Sequence, residues 1–277
     1  MIVFLNGHWV PEERATISVF DRSFLYGDGL FETLRVANGR PFRWIQHWER
    51  FEEGAAFLGI QVPFKKASLR DRVSELVTRN RMPDSILRIT LSRGPGARGY
   101  SPADANSSTL VMSLHPVPPV PARCRVRTVG LCLPSGGPLA RFKTNNKLVQ
   151  VIARAQAEAA GADEALLLNS EGFVVEGSSG NLFWIKRGVV CTPPLEGGVL
   201  PGVTRAVTIE LCHRLGVDFQ ESAVRPGDLA GVEAAFLTQS SLGIVNLTEI
   251  DDVPMQGSPI VDHLTDGYAA WVLEECG

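Results

Sequence analysis

Cysteine is scarce and scattered. The five residues, Cys124, Cys132, Cys191, Cys212 and Cys276, form no CxxC pair. Neither a disulfide framework nor a cysteine zinc site is therefore encoded. The five histidines, His8, His47, His115, His213 and His263, form no HExxH and no close pair, which removes the usual histidine metal signatures. Positive charge is not in excess, with 27 Lys plus Arg against 30 Asp plus Glu and a net charge of −3. Such a balance offers no counter-charge for a phosphate backbone, so nucleic-acid binding is disfavoured as the main task. Long apolar runs of membrane-spanning length are missing. The start, Met1-Ile2-Val3-Phe4-Leu5-Asn6-Gly7, lacks the basic residues and small-residue cleavage site of a signal peptide. These absences predict a reduced, cytoplasmic globular protein that works on neither nucleic acid nor membrane.

What is present is a substantial core. Of 277 residues, 44% are hydrophobic and 21% charged, a length and composition suited to two domains of ordinary size. Asn6-Gly7 and Asn38-Gly39 are hairpin turn pairs. They predict strands over 2–5 and 8–10, and over 30–36 and 41–44. Helices are predicted over 45–58 and 67–79, then strands over 86–92 and 109–115. This order, strands then helices then strands, indicates an α+β unit rather than regular βαβ repeats. Pro116, Pro118, Pro119 and Pro121 crowd one stretch and read as a stiff linker. The predicted organisation is thus a small domain over 1–115, a linker over 116–123 and a larger domain over 124–277. In the larger domain the pattern predicts a strand over 125–133 and a helix over 146–160. Strands are predicted over 164–168, 173–176, 181–185 and 189–192, a helix over 204–215, strands over 234–238 and 243–250, and a last helix.

Several motifs could carry chemistry, and each has a plainer reading. Gly94-Pro95-Gly96-Ala97-Arg98-Gly99 matches GxGxxG, but Tyr100-Ser101-Pro102 follows where a dinucleotide site requires a helix. It reads as a connecting loop, or as a loop carrying Arg98 and Tyr100 over a pocket, where the Arg fork suits a carboxylate. Leu200-Pro201-Gly202-Val203-Thr204-Arg205 leads into a helix. Free N–H groups there suit a phosphate, and simple capping by Thr204 is the commoner explanation. Thr238-Gln239-Ser240-Ser241 is a second loop of donors. Lys143, beside Phe142, is either a solvated amine or a buried one able to form a Schiff base. Glu176 is a rim carboxylate or the partner of a protonated ring nitrogen. Arg50 has an ordinary surface helix position as its alternative.

Taken in order, these residues resemble the class IV aminotransferase family, the fold-type IV pyridoxal-phosphate enzymes. The resemblance runs along nearly the whole chain. It includes Tyr26-Gly27-Asp28-Gly29-Leu30-Phe31-Glu32, Arg50, Lys143, the Glu176-Gly177-Ser178-Ser179-Gly180-Asn181-Leu182-Phe183 run, residues 200–205 and the Phe236-Leu237-Thr238-Gln239-Ser240 run. It implies an α+β fold with a small N-terminal α/β domain and a larger C-terminal pseudo-barrel α/β domain, with pyridoxal 5′-phosphate held between them. Lys143 is the implied Schiff-base lysine and proton carrier, and Glu176 the partner of the pyridine nitrogen. Arg50, Val203, Thr204, Gln239 and Ser240 are the implied phosphate cup. Phe31, Arg98 and Tyr100 are implied on the substrate side, and a homodimer is expected. Gln239 stands where small residues are common. Glu32 follows Phe31, as in many transaminases.

Within the family, residues 92–101 and Lys143-Thr144-Asn145-Asn146-Lys147-Leu148 are similar to the aminodeoxychorismate lyases. Branched-chain enzymes usually carry an aromatic residue at the Leu148 position. The expected reaction is therefore conversion of 4-amino-4-deoxychorismate to 4-aminobenzoate and pyruvate. A transaminase of D-amino acids or branched-chain amino acids is the second expectation. A non-catalytic cofactor carrier is a third, disfavoured because a carrier has no use for the substrate loop.

Overall fold

The computed structural model describes residues 1–277 and divides into two compact units. Unit 1 contains Met1–Val117, Phe142–Asn146 and Val272–Gly277, and unit 2 contains Pro118–Arg141 and Lys147–Trp271.

In unit 1, β1 (Ile2–Leu5) and β2 (His8–Pro11) form the first hairpin. Asn6 (φ 50°) and Gly7 (φ 94°) take the positive φ that its turn requires. A short helix, α1 (Arg22–Tyr26), precedes β3 (Gly29–Ala37) and β4 (Arg40–Pro41). The second hairpin is shorter than the sequence suggests. Its return strand stops at Pro41, and α2 (Trp44–Leu58) begins at Trp44, which turns inward with the helix stripe instead of continuing β4. After α3 (Lys66–Asn80) come β5 (Ser85–Ser92) and β6 (Thr109–His115). The sheet order is β2-β1-β6-β5-β3-β4, antiparallel throughout. Trp44, Trp48, Phe51 and Ala55 lie at helical spacing on α2 and are buried with Leu30 and Leu34 of β3 and Leu87 and Leu91 of β5.

Residues 142–146 are held on this sheet, which fixes the position of Lys143. The Phe31 N–H donates to the Lys143 carbonyl at 2.9 Å and the Asn145 N–H to the Gly29 carbonyl at 2.9 Å. Leu30 and Thr144 form a bridge. Phe142 packs against Phe57 at 4.9 Å between ring centroids. A Cβ on Gly54 of α2 would meet Leu30 at 3.1 Å and Phe142 at 3.3 Å, so the missing side chain is what lets these segments approach.

Unit 2 contains two five-stranded sheets. One uses β7 (Arg125–Leu133), β8 (Glu164–Asn169) and β9 (Val174–Gly177), and the other β10 (Asn181–Lys186), β11 (Val189–Thr192) and β12 (Phe219–Glu221). β7 and β8 pair in parallel, with α4 (Leu148–Ala159) between them in sequence. The helix α5 (Val203–Leu215) precedes β12. β13 (Ala234–Gln239) and β14 (Gly243–Asn246) complete the sheet of order β12-β11-β10-β13-β14. The single strand expected over 243–250 is broken. β15 (Glu249–Ile250) leaves to pair with β7, joined by β16 (Val253–Pro254), in the order β16-β15-β7-β8-β9. The alternating burial of an uninterrupted strand does not hold there, because Leu247 is buried in the core while the chain changes sheets. The last helix is α6 (Pro259–Cys276). No helix is long and apolar enough to cross a membrane.

Candidate active site

The period of two along β3 divides its functional side chains between two faces. Phe31 points to one face. The Lys143 Nζ lies over its ring at 4.8 Å and the Arg88 guanidinium at 3.8 Å. Arg88 is on β5, opposite Thr33, so it sits diagonally across from Phe31. Burial lowers the Arg88 pKa, and no carboxylate offsets it. Sequence reading missed Arg88. Its only signal was a charge inside the apolar run Ile86-Leu87-Arg88-Ile89.

Glu32 points the other way, toward α2. It is buried at 2% exposure. Arg50 donates to it through Nε and Nη2, each at 2.7 Å, and His47 Nδ1 lies 2.7 Å from its Oε2. Burial alone would raise the Glu32 pKa. The Arg50 charge and the His47 and Arg50 hydrogen bonds outweigh it and hold the carboxyl at about 2. Burial pulls the His47 pKa down, against the raising effect of Glu32. An ionised carboxylate only accepts, so His47 Nδ1 carries the proton in this contact. Arg50 therefore stands in a fixed fork on a buried carboxylate, not on an open helix face. The motif placed Glu32 in view, but its partnership with α2 was not legible.

Arg98 and Tyr100 are exposed on the loop after β5. The loop itself is pinned. The Arg22 guanidinium, 3% exposed, donates to the carbonyls of Gly99 at 2.9 Å, Tyr100 at 3.1 Å and Ser101 at 3.1 Å.

In unit 2, Glu176 is the penultimate residue of β9. Its Oε2 accepts from the Asn181 side-chain amide at 3.2 Å and from the Leu200 N–H at 3.1 Å. The turn after it is held by the buried Glu164, which accepts from the hydroxyls of Ser178 and Ser179 and from the Ser178 N–H. Asn181 also donates to the Leu200 carbonyl at 3.0 Å, so one amide joins Glu176 to the entry of α5.

That entry has the character of an anion cup. The N-cap of α5 is Gly202, not Thr204, and no side chain caps it. The first-turn N–H groups are thus not taken by a capping side chain. A Cβ at Gly202 would collide with the Asn181 side-chain oxygen, so this close approach requires glycine. Val203 and Thr204 open the helix, and the Thr204 hydroxyl lies 3.5 Å from that of Ser240. Thr238 Oγ1 is buried without a hydrogen-bond partner. Gln239, half-buried, accepts from the Ser241 hydroxyl at 3.1 Å. An uncapped helix start, two hydroxyls and an orphaned buried one fit a phosphate.

The description "Amino-transferase class IV" matches residues 29–250. A protein of Methanocaldococcus jannaschii named "Putative branched-chain-amino-acid aminotransferase" is 36% identical, over 91% of this chain and 88% of that one. The crystal structure of 4-amino-4-deoxychorismate lyase from Pseudomonas aeruginosa is 32% identical, with a TM-score of 0.83 over 96% of this chain and 97% of that one. A T.th. branched-chain amino acid aminotransferase, solved with pyridoxamine 5′-phosphate, is 28% identical, with a TM-score of 0.92 over 98% of this chain and 93% of that one.

Proposed function

Since this chain belongs to the class IV aminotransferase family, whose cofactor is pyridoxal 5′-phosphate and whose architecture is fold-type IV, we propose that it is a lyase of 4-amino-4-deoxychorismate type. The bound cofactor supplies an electron sink for charge released at the amine-bearing carbon of the substrate. Lys143 would hold the cofactor, and its free amine would take the proton from that carbon. Glu176, kept in place by Asn181 and the Leu200 N–H, would pair with the ring nitrogen and favour its protonated form. Val203, Thr204, Gln239 and Ser240 would hold the phosphate. Arg50, whose guanidinium Glu32 orients, would add a positive charge for that phosphate.

The observation that carries the substrate reading is Arg88. A half-buried guanidinium with no carboxylate beside it lies over the Phe31 ring, which also faces the Lys143 amine. A desolvated cation is costly unless an anion joins it. A purely aliphatic side chain would leave it unmatched, whereas an acidic group on the substrate would pair with it. Arg98 supplies a second guanidinium. Two such anchors suit the two carboxylates of 4-amino-4-deoxychorismate, and Phe31 and Tyr100 offer ring surfaces. A transaminase is the second reading, favoured by the 36% identity to the Methanocaldococcus protein. Arg88 would then serve a dicarboxylate amino donor or acceptor.

The two readings separate in a half-reaction. The purified enzyme is mixed with D-alanine, with L-leucine and with L-glutamate, and the cofactor absorbance is followed without any keto acid. A lyase keeps its cofactor in the aldehyde oxidation state and forms 4-aminobenzoate from 4-amino-4-deoxychorismate. Conversion of the cofactor to its amine form by any of the three, without release of 4-aminobenzoate from the chorismate substrate, overturns the lyase reading.

We also propose a homodimer. Ile17, Val19, Phe20, Phe24 and Leu25 are exposed in and before α1, and Leu148, Val149, Val151 and Ile152 on α4. Apolar faces of this kind suit a second copy of the chain.

A further inference from the structure

The loop over 94–101 is short of side chains that could hold it, yet it is tied down on both sides of Arg98. Before Arg98, the Arg22 N–H donates to the Gly94 carbonyl at 2.9 Å and the Gly96 N–H to the Phe20 carbonyl at 3.3 Å. After Arg98, three successive carbonyls, those of Gly99, Tyr100 and Ser101, converge on the one buried guanidinium of Arg22. The Gly99 N–H donates to the Tyr26 hydroxyl at 3.0 Å. Arg22 lies over the Tyr26 ring at 5.0 Å, and the Tyr100 ring meets Tyr26 edge-on at 5.6 Å.

Each nitrogen of the Arg22 guanidinium is already engaged by a carboxylate or a loop carbonyl, so it is not set to compete with Arg98 for an anion. Its Nε donates to Asp28 at 2.8 Å. The same carboxylate accepts two bonds from Arg93, which in turn donates to the Leu58 and Gly59 carbonyls at the end of α2. The loop is thereby tied through Arg22, Asp28 and Arg93 to the helix that carries His47 and Arg50. Only a planar group with donors in a fork can bind three carbonyls and a carboxylate together; an ammonium has three donors on one atom and cannot span them.

We propose that Arg22, with Tyr26 beside it, is the positioning residue that holds the 94–101 loop so that Arg98 meets a substrate carboxylate in one fixed orientation. Carboxylate selectivity then depends on a residue that touches neither substrate nor cofactor. This rests on the role given above to Arg98, and the tests separate the two.

Five forms are compared as holoenzymes: wild type, Arg22→Lys, Tyr26→Phe, Arg98→Ala and the double variant Arg22→Lys with Arg98→Ala. Hydrogen exchange of the peptide over 95–103 reads the loop directly. Arg22→Lys should speed it about tenfold or more, and Tyr26→Phe less, while the β5 amides and cofactor occupancy stay at wild-type values. Unchanged exchange at 95–103 overturns the proposal, and loss of β5 protection as well would reduce Arg22 to a general structural role. Calorimetric titration with 4-aminobenzoate and with its uncharged amide reads selectivity. Wild type should prefer the carboxylate by roughly ten- to a hundredfold, the range of one charge-assisted contact. Arg98→Ala and Arg22→Lys should both lose most of that preference, and the double variant should lose no more than Arg98→Ala alone. If Arg98→Ala loses the preference and Arg22→Lys keeps it, Arg22 does not position Arg98. If Arg98→Ala keeps the preference, the role of Arg98 itself is wrong, while the exchange data still decide whether Arg22 orders the loop.

Discussion

Replacing Glu32 by Gln tests the buried contact under α2. The variant keeps the size of the side chain and removes its charge. In the wild type the carboxyl is held at about 2 against an ordinary value of 4.5. At about 1.4 kcal/mol per pH unit, that gap corresponds to about 3 kcal/mol of stability at neutral pH. The figure agrees with the ~3–5 kcal/mol expected when one member of a buried ion pair is lost. The sign follows from the depressed folded value. The contribution is complete above pH 4.5 and fades as pH falls toward 2. The stability gap between wild type and Glu32→Gln should therefore be about 3 kcal/mol at pH 7 and narrow to about half near pH 3. His47 adds a second, separate slope. Burial lowers its pKa, so below about 6.5 the unfolded chain takes a proton that the folded one refuses, and stability falls with pH. His47→Gln should flatten that part of the curve and leave the steeper loss below pH 4.5. Urea unfolding followed by tryptophan fluorescence, with excess cofactor present at each pH, measures all three forms. A gap below about 1 kcal/mol at pH 7, or one that stays constant down to about pH 3, would refute the reasoning.

Borohydride reduction and peptide mapping should place the pyridoxyl label on Lys143, and Lys143→Ala should stay folded while losing turnover; a label on another lysine would move the assignment. Gly202→Ala pushes a methyl into the Asn181 side-chain oxygen. It should cost about 1–3 kcal/mol of stability and weaken pyridoxal-phosphate affinity more than it weakens binding of pyridoxal, which lacks the phosphate. Equal losses for both would remove the phosphate cup from α5. Light scattering should report about twice the mass of the 30.1 kDa chain. Val151→Asp, at a position 61% exposed on α4, should shift the protein toward monomer, and no shift would remove α4 from the interface.

Periodicity and turn chemistry by themselves determined most elements of this protein. The Asn6-Gly7 hairpin, the bodies of α2 and α3, β5 and β6, and the strand–helix–strand run from 125 to 169 all follow from interactions within a few residues. The ordered motifs around Lys143, Glu176 and residues 200–205 carried the family in the same way, as short runs in fixed succession. Tertiary structure decided where chains of contacts close across sequence. Trp44 could extend a strand or open a helix, and packing against the β3 and β5 core chose the helix. Residues 243–250 read as one strand, but Ile250 finds its partner in Val126. Thr204 is the obvious cap by composition, yet Gly202 holds that place because Asn181 leaves no room for a side chain. Glu32 finds its partners only when α2 brings His47 and Arg50 to it. Arg22 and the carbonyls it binds lie 77 to 79 residues apart. Local pattern encodes which face of an element is apolar. Which buried charge meets which is set only when two elements dock, because pairing energy between charges depends on distance and desolvation that no short window of sequence contains.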